Sequence, residues 1–183
     1  MISINDTLKL VLPDLNMAEP LFQLIIKNKM HLRPWLNWLD KATDVSFTKN
    51  FITASLLQYS NGQSIPLMII YEGKLTGRIG LYNLDSQNYI AEIGYWLDSN
   101  YQNNGIIQQC AKALIAYTFS TTTINRIELK CQLNNRASVI IAQKLGFNLE
   151  ATLKQAAFIN DAYVDLYLFA LCRNEYLKAM PDK

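Results

Sequence analysis

Three apolar runs follow one another between residues 65 and 97 with little between them. Ile65 to Tyr71 is continuously apolar and reads as a buried strand. Glu72-Gly73-Lys74 turns the chain into Leu75 to Leu84, and Tyr89 to Leu97 follows after a polar loop. Strands in succession with connections this short leave room only for antiparallel neighbours, so the segment predicts a meander.

On either side the periodicity changes. Thr7 to Leu12 is a short strand candidate closed by Pro13. Asn16 reads as an N-cap, with Glu19 three residues on as in a capping box. Pro20 lies in the first turn, where a missing N–H costs least, and the helix runs to about Asn28. A second helix is expected after Ser46 or Thr48, ending near Asn61-Gly62. Ile107, Ala111, Leu114 and Thr118 recur at helical spacing, so a helix follows Gly105. Ile127, Leu129, Cys131 and Leu133 alternate with Arg126, Glu128, Lys130 and Gln132, a strand with one wet face. Asn134-Asn135 opens another helix, stopped at Leu145-Gly146-Phe147. Strands at about 148–158 and 162–171 meet at a turn on Asn160-Asp161. With no repeat, linker or low-complexity tract, the chain reads as one α/β domain over residues 1–183 with a mixed sheet.

Composition removes several function classes. The net charge of +2 is too small to argue for direct nucleic-acid binding. No apolar window of about 18 residues exists, so no membrane span is expected. The start MISINDTLKL lacks the basic and apolar regions of a signal peptide, which makes the cytoplasm the expected location. Three well-separated cysteines, Cys110, Cys131 and Cys172, form neither a disulfide framework nor a zinc pattern. With His31 the only histidine, a metal site or a Ser-His-Asp triad lacks material, and no metal is expected.

The stretch from Trp96 to Ile107, WLDSNYQNNGII, joins the last meander strand to a helix through uncharged polar residues and a glycine. The first N–H groups of a helix have no internal partner and carry partial positive charge, the arrangement that holds a phosphate or pyrophosphate. A polar loop with a capping Asn accounts for the same residues. Glu92, Gly94 and Trp96 share one face of the preceding strand. A glycine inside a strand often marks a bulge or a close backbone approach.

Gln102-x-x-Gly105 after a strand ending in Trp96-Leu97, then a strand with Cys131, then Asn135-x-x-Ser138 and Leu145-Gly146-Phe147, resembles the GNAT acetyltransferase superfamily over nearly the whole chain. More narrowly, His31-Leu32-Arg33-Pro34-Trp35-Leu36-x-Trp38, AEIGYWLD, LKQA and Asp161-x-Tyr163 resemble the ribosomal-protein serine N-acetyltransferase branch, the RimJ/RimL group. The resemblance implies a mostly antiparallel sheet of about seven strands, splayed open and flanked by helices. It implies acetyl-CoA as co-substrate. The backbone of Gln102, Asn103, Asn104, Gly105, Ile106 and Ile107 would cradle its pyrophosphate. Its arm would lie beside Ile93, Gly94, Tyr95, Trp96 and Leu97, with a free N–H near Ile93 or Gly94 polarising the thioester carbonyl. Asn135 would hydrogen-bond the arm, Arg136 could reach a phosphate, and Ser138 would give a proton to the leaving thiolate. The acceptor amine would attack directly in a ternary complex.

The chain departs from that pattern in places. Asn103-Asn104 stands where relatives often have Gly-Lys, and Ile107 where the wider superfamily has Gly or Ala. Ala142 takes the place of a Tyr that many members use as general acid. Ala157 replaces the Glu of the KQAE motif, the natural general base by this resemblance, which passes that role to Glu92, directly or through water; a solvated or ion-paired strand carboxylate is the plainer account of Glu92. Supplying a neutral amine at pH 7 costs about 1 kcal/mol for an α-amine and about 4.6 for a lysine, so a weakened base suits a protein N-terminus. Cys131 is either a small buried hydrophobe or a thiol within reach of coenzyme A. Arg33, Trp35 and Trp38 are either local structure or the wall of a substrate groove built from residues 31–45 and 153–165. The expected acceptor is the N-terminal α-amine of a protein, plausibly ribosomal. A small amine, or a non-catalytic module that only binds the coenzyme, are the alternatives. Apolar strands near the C-terminus are consistent with a homodimer.

Overall fold

A computed structural model describes residues 1–179; residues 180–183, the end of the expected 1–183 domain, lie outside the described residues. The strands are β1 (Ile2–Ser3), β2 (Leu8–Val11), β3 (Ile65–Tyr71), β4 (Lys74–Asp85), β5 (Ile90–Leu97), β6 (Arg126–Gln132), β7 (Asn148–Ile159) and β8 (Ala162–Cys172). They form one open sheet in the order β1-β2-β3-β4-β5-β6-β8-β7. All neighbours are antiparallel except β5 and β6. The expected meander is β3–β5. The expected seven strands become eight, because Ile2 and Ser3 add a two-residue strand on β2 that is too short for any periodicity to reveal.

Strand alternation sorts side chains to two faces. Ile69, Ile79, Leu81, Ala91, Ile93, Ile127 and Leu129 pack in one core with α4 (Ile106–Thr121) and with Ala142 of α5 (Arg136–Lys144). Met68 and Trp96 face a second core with α1 (Ala18–Lys27) and α3 (Val45–Ser60). Each fully buried Leu or Ile contributes about 1.5–3 kcal/mol. Two short helices, α2 (Lys29–Leu32) and α6 (Arg173–Lys178), complete the described residues.

The caps differ from the sequence reading. Asp14, not Asn16, is the cap: its carboxylate accepts from Asn16 N at 2.8 Å and starts a 3-10 turn that runs into α1. Glu19 instead accepts from Gln23, one turn on. Asp44 caps α3 by accepting from Ser46 N at 2.7 Å. Thr48 is buried and gives its hydroxyl proton to the carbonyls of Ala18 and Val45, fastening α3 to α1. Leu133 falls past the end of β6, in the turn before α5, and is exposed.

Candidate active site

The parallel pair at the centre of the sheet is short. β5 and β6 pair at Ile90–Arg126, Ala91–Ile127 and Glu92–Glu128 only, although both strands run on to Leu97 and Gln132. Beyond Glu92 they separate, and the far edge of β5 from Ile93 to Leu97 faces a gap. An unpaired strand edge is a template for an extended ligand. Lys130 spans the start of the gap. Its ammonium lies 2.9 Å from Glu92 and 3.6 Å from Glu128, two carboxylates that would otherwise repel across one rung. Burial pulls the Lys130 pKa down, but the two carboxylates outweigh it and hold the group above its ordinary value.

On the α4–α5 face of the gap, Tyr95 buries its hydroxyl beside Ser138 and Cys131. Burial, only partly offset by Ser138, keeps that phenol protonated far above its usual range, and it has no hydrogen bond of full geometry. Ser138 is the third residue of α5. Its N–H donates to Asn135 Oδ1 at 3.1 Å, so Asn135 caps the helix and retains its amide N–H₂ for another partner. Ala142 is fully buried in the core, where no tyrosine could reach the gap without displacing packing. Burial pushes the Cys131 thiol up to about 11, which leaves it un-ionised at neutral pH. Glu92 lies on the opposite face, with Gly94 and Trp96. A carboxylate on one face and a hydroxyl on the other thus flank the gap.

The turn between β5 and α4 is built to leave donors free. Asn103 and Gly105 take left-handed backbone angles, φ 64° and 67°, which expose successive N–H groups. No side chain caps α4, and the N–H groups of Asn103, Asn104 and Gly105 meet no acceptor among the described residues. Ile106 and Ile107 bury their side chains, so they can offer only backbone. Arg136 is exposed, with no carboxylate partner among the described residues, and is free to meet a phosphate.

Three contacts tie this turn to α1 and α2. Asp98, buried, pairs with Lys27 at 2.8 Å and accepts from Asn100 N. Asn28 accepts from Ser99 N at 2.9 Å. The Gln102 side chain lies 2.8 Å from His31 Nε2. His31 therefore positions a loop, and the Gln102 side chain is taken up in doing so.

The expected substrate residues separate. Arg33 is exposed and turned to Asp40 at 3.1 Å, a local pair. Its carbonyl and that of Pro34 accept from Asn160 and from Gln132 at 3.3 and 2.7 Å, so the 33–34 backbone bridges the end of β6 to the β7–β8 turn. Trp35 is half-buried in this bridging segment. Trp38 stacks on Phe47 at 5.9 Å and lines a cavity of about 190 Å³ with Phe51, Arg78 and Trp96. Ala157 lies just after a bulge in β7, which Asp165 pins by pairing with Lys154 at 2.8 Å and accepting from Gln155 N at 2.9 Å.

Arg78, Tyr82 and Lys130 escaped the sequence reading. Arg78 and Tyr82 lie in a meander strand whose apolar content signalled only core. Lys130 carried the alternation signal of a wet face, which says nothing of a partner 38 residues away. Gly94 was expected to mark a close approach; the tighter glycines are on β4, where a Cβ on Gly77 would lie 2.3 Å from the Trp96 carbonyl.

Comparison with known proteins places the chain among acetyltransferases. The family model for the acetyltransferase (GNAT) domain matches residues 7–148. The ribosomal-protein-serine acetyltransferase of Escherichia coli (strain K12) is 37% identical over 169 residues, covering 92% of this chain and 94% of that protein. RimL, a ribosomal L7/L12 α-N-protein acetyltransferase solved with coenzyme A in disulfide linkage to one of its cysteines, superposes with a TM-score of 0.92 at 30% identity, covering 95% and 98% of the two chains. The microcin C7 self-immunity acetyltransferase MccE, solved with acetyl-CoA and AMP, gives a TM-score of 0.89 at 32% identity, covering 92% and 94%.

Proposed function

The chain belongs to the GNAT acetyltransferase family, and from that premise we propose that it moves an acetyl group from acetyl-CoA to the N-terminal α-amine of a protein, a ribosomal one, in the cytoplasm. The observation that carries this reading is the gap beside Ile93–Leu97 opening next to the uncapped start of α4. Donors lie where a diphosphate needs them, and a free strand edge lies where an amide-bearing arm can pair. Acetyl-CoA supplies the activated thioester.

The places of the chain's own residues support the following roles. Backbone N–H groups of residues 103–107 hold the diphosphate, with Arg136 in reach of a further phosphate. The β5 edge holds the arm and polarises the carbonyl. Asn135 gives its free amide to the arm. Glu92, through water, takes the proton from the attacking amine. The N–C bond forms as the C–S bond breaks, and Ser138 gives its proton to the departing sulfur. The Arg33–Trp38 segment walls the acceptor side.

The acceptor class is supported by the 37% identical relative named for ribosomal-protein serine. It is tested by incubating the purified protein with acetyl-CoA and ribosomal proteins and weighing intact masses. A single +42 Da shift on an N-terminus is expected; no shift on any of them refutes the assignment. Leu149, Phe158 and Tyr163 leave apolar surface exposed on β7 and β8, which supports the expected homodimer.

A further inference from the structure

The cavity behind Trp38 is separate from the donor cradle and lies on the other face of the sheet. Trp38, Phe47, Phe51 and Trp96 line it, with two aliphatic side chains of α1 and the guanidinium of Arg78. Arg78 sits 4.1 Å from the Phe51 ring centroid and 5.1 Å from that of Tyr82. Its Nη2 donates to the Tyr82 hydroxyl at 2.7 Å. No carboxylate lies within ion-pair distance of it among the described residues. A guanidinium has five N–H donors, and the rings beside it accept none of them well.

Arg78 spends one of those donors on Tyr82, so the cavity offers a charge and spare guanidinium donors with an apolar wall and no acidic acceptor. What completes it is a group that only accepts and is negative. A carboxylate matches the planar fork of an arginine.

Register fixes how far this lies from the chemistry. Arg78 pairs with Trp96, and Gly80 with Gly94, two residues along the same face. Two residues of strand span roughly 7 Å. The Tyr82 ring lies 3.3 Å from where a Gly94 Cβ would be and its hydroxyl meets Arg78, so the phenol packs between the guanidinium and the β5 edge, and an acceptor side chain reaches Arg78 by running past that ring. An amine at the gap would place its own α-carboxylate too near to reach Arg78. A side-chain carboxylate of the first or second residue spans the distance.

Resting on the reading of the protein as an α-amine acetyltransferase, we propose that the Arg78 cavity selects acceptors that carry a carboxylate one side chain away from the amine. The source is the acidic side chain of a protein N-terminus or a free acidic amino acid.

The test pairs an activity ratio with a binding signal. Thiol release is followed with the peptides Ser-Glu-Ala-Ala and Ser-Gln-Ala-Ala and with free glutamate, and tryptophan fluorescence is followed with glutarate against glutaramide. The expected result is at least a tenfold preference in kcat/KM for Ser-Glu-Ala-Ala over its amide. That ratio collapses toward unity in Arg78→Gln and is partly kept in Arg78→Lys. A saturable quench by glutarate and not by glutaramide reports Trp38 and Trp96 in the unmodified protein, so the proposal stays testable if Arg78→Gln does not fold. Faster turnover of free glutamate than of either peptide supports the cavity with the free acid as source. Equal rates for the two peptides together with no glutarate quench overturn the proposal and leave the acetyltransferase reading standing. A glutarate quench with no thiol release from any amine supports the cavity and overturns that reading instead.

Discussion

At the scale of single residues, the two sides of the gap make separable predictions. In the proposed mechanism Ser138 is the leaving-group donor, so Ser138→Ala should lower kcat about 100-fold, at the low end for general acid catalysis, with KM for acetyl-CoA nearly unchanged. Steady-state kinetics checks it. Glu92→Gln should lower kcat/KM by a similar factor. Because the Glu92–Lys130 pair is about a third exposed on each side, the same change should alter stability by less than about 1 kcal/mol. Lys130 is held above its ordinary 10.5, so its contribution persists through neutral pH and is lost only as pH rises through that raised value. Ala157→Glu restores the acid of the family motif and should raise kcat/KM at least tenfold; no gain would argue that Glu92 alone serves as base. The candidate site was legible in its backbone: Asn103 to Ile107 read as a donor cluster because helix starts and glycines have fixed consequences. It was less legible where side chains meet long-range partners. Glu92 gave no hint of Lys130, and Arg33 gave none of Asp40, because no local spacing encodes either pair.

At the scale of elements, the turn after β5 is held by Asp98. Burial would raise its pKa, yet Lys27 and the N–H of Asn100 outweigh this and lower it below the ordinary 3.8. Its stabilisation is therefore present above that value and lost as pH falls through the depressed one. Asp98→Asn keeps an acceptor for Asn100 but breaks the pair with Lys27, whose side chain is half exposed. The expected cost is about 1–3 kcal/mol, read from urea midpoints at pH 7 and fading as pH falls through the depressed carboxyl value. β4 supplies a second test. Gly77→Ala would drive a methyl into the Trp96 carbonyl, and β4 and β5 would have to move apart at a cost of about 1–3 kcal/mol or more. The strands were legible because apolar alternation is imposed by the sheet itself. The Asn135 cap of α5 was legible too, but those of α1 and α3 were not, since several Asp, Asn and Ser residues sit near each of those helix starts and only backbone angles choose among them. Asp14 and Asp44 won because each lies in extended backbone with its carboxylate over the following N–H.

At the scale of the whole molecule, a ligand that bridges the β5–β6 gap and the start of α4 binds the folded state alone. At 100 times its dissociation constant, acetyl-CoA should stabilise the fold by about 2.7 kcal/mol. For a domain of this size that raises the melting temperature by roughly 5–10 °C, measurable by calorimetry. In the proposed ternary complex the three contacts of Lys27, Asn28 and His31 with Asp98, Ser99 and Gln102 form a wall shared by the two substrates. Linkage requires any coupling carried through that wall to be returned in equal measure. If coenzyme binding tightens the peptide by some factor, the peptide must tighten the coenzyme by the same factor, and cutting the shared wall at His31 should shrink both factors together.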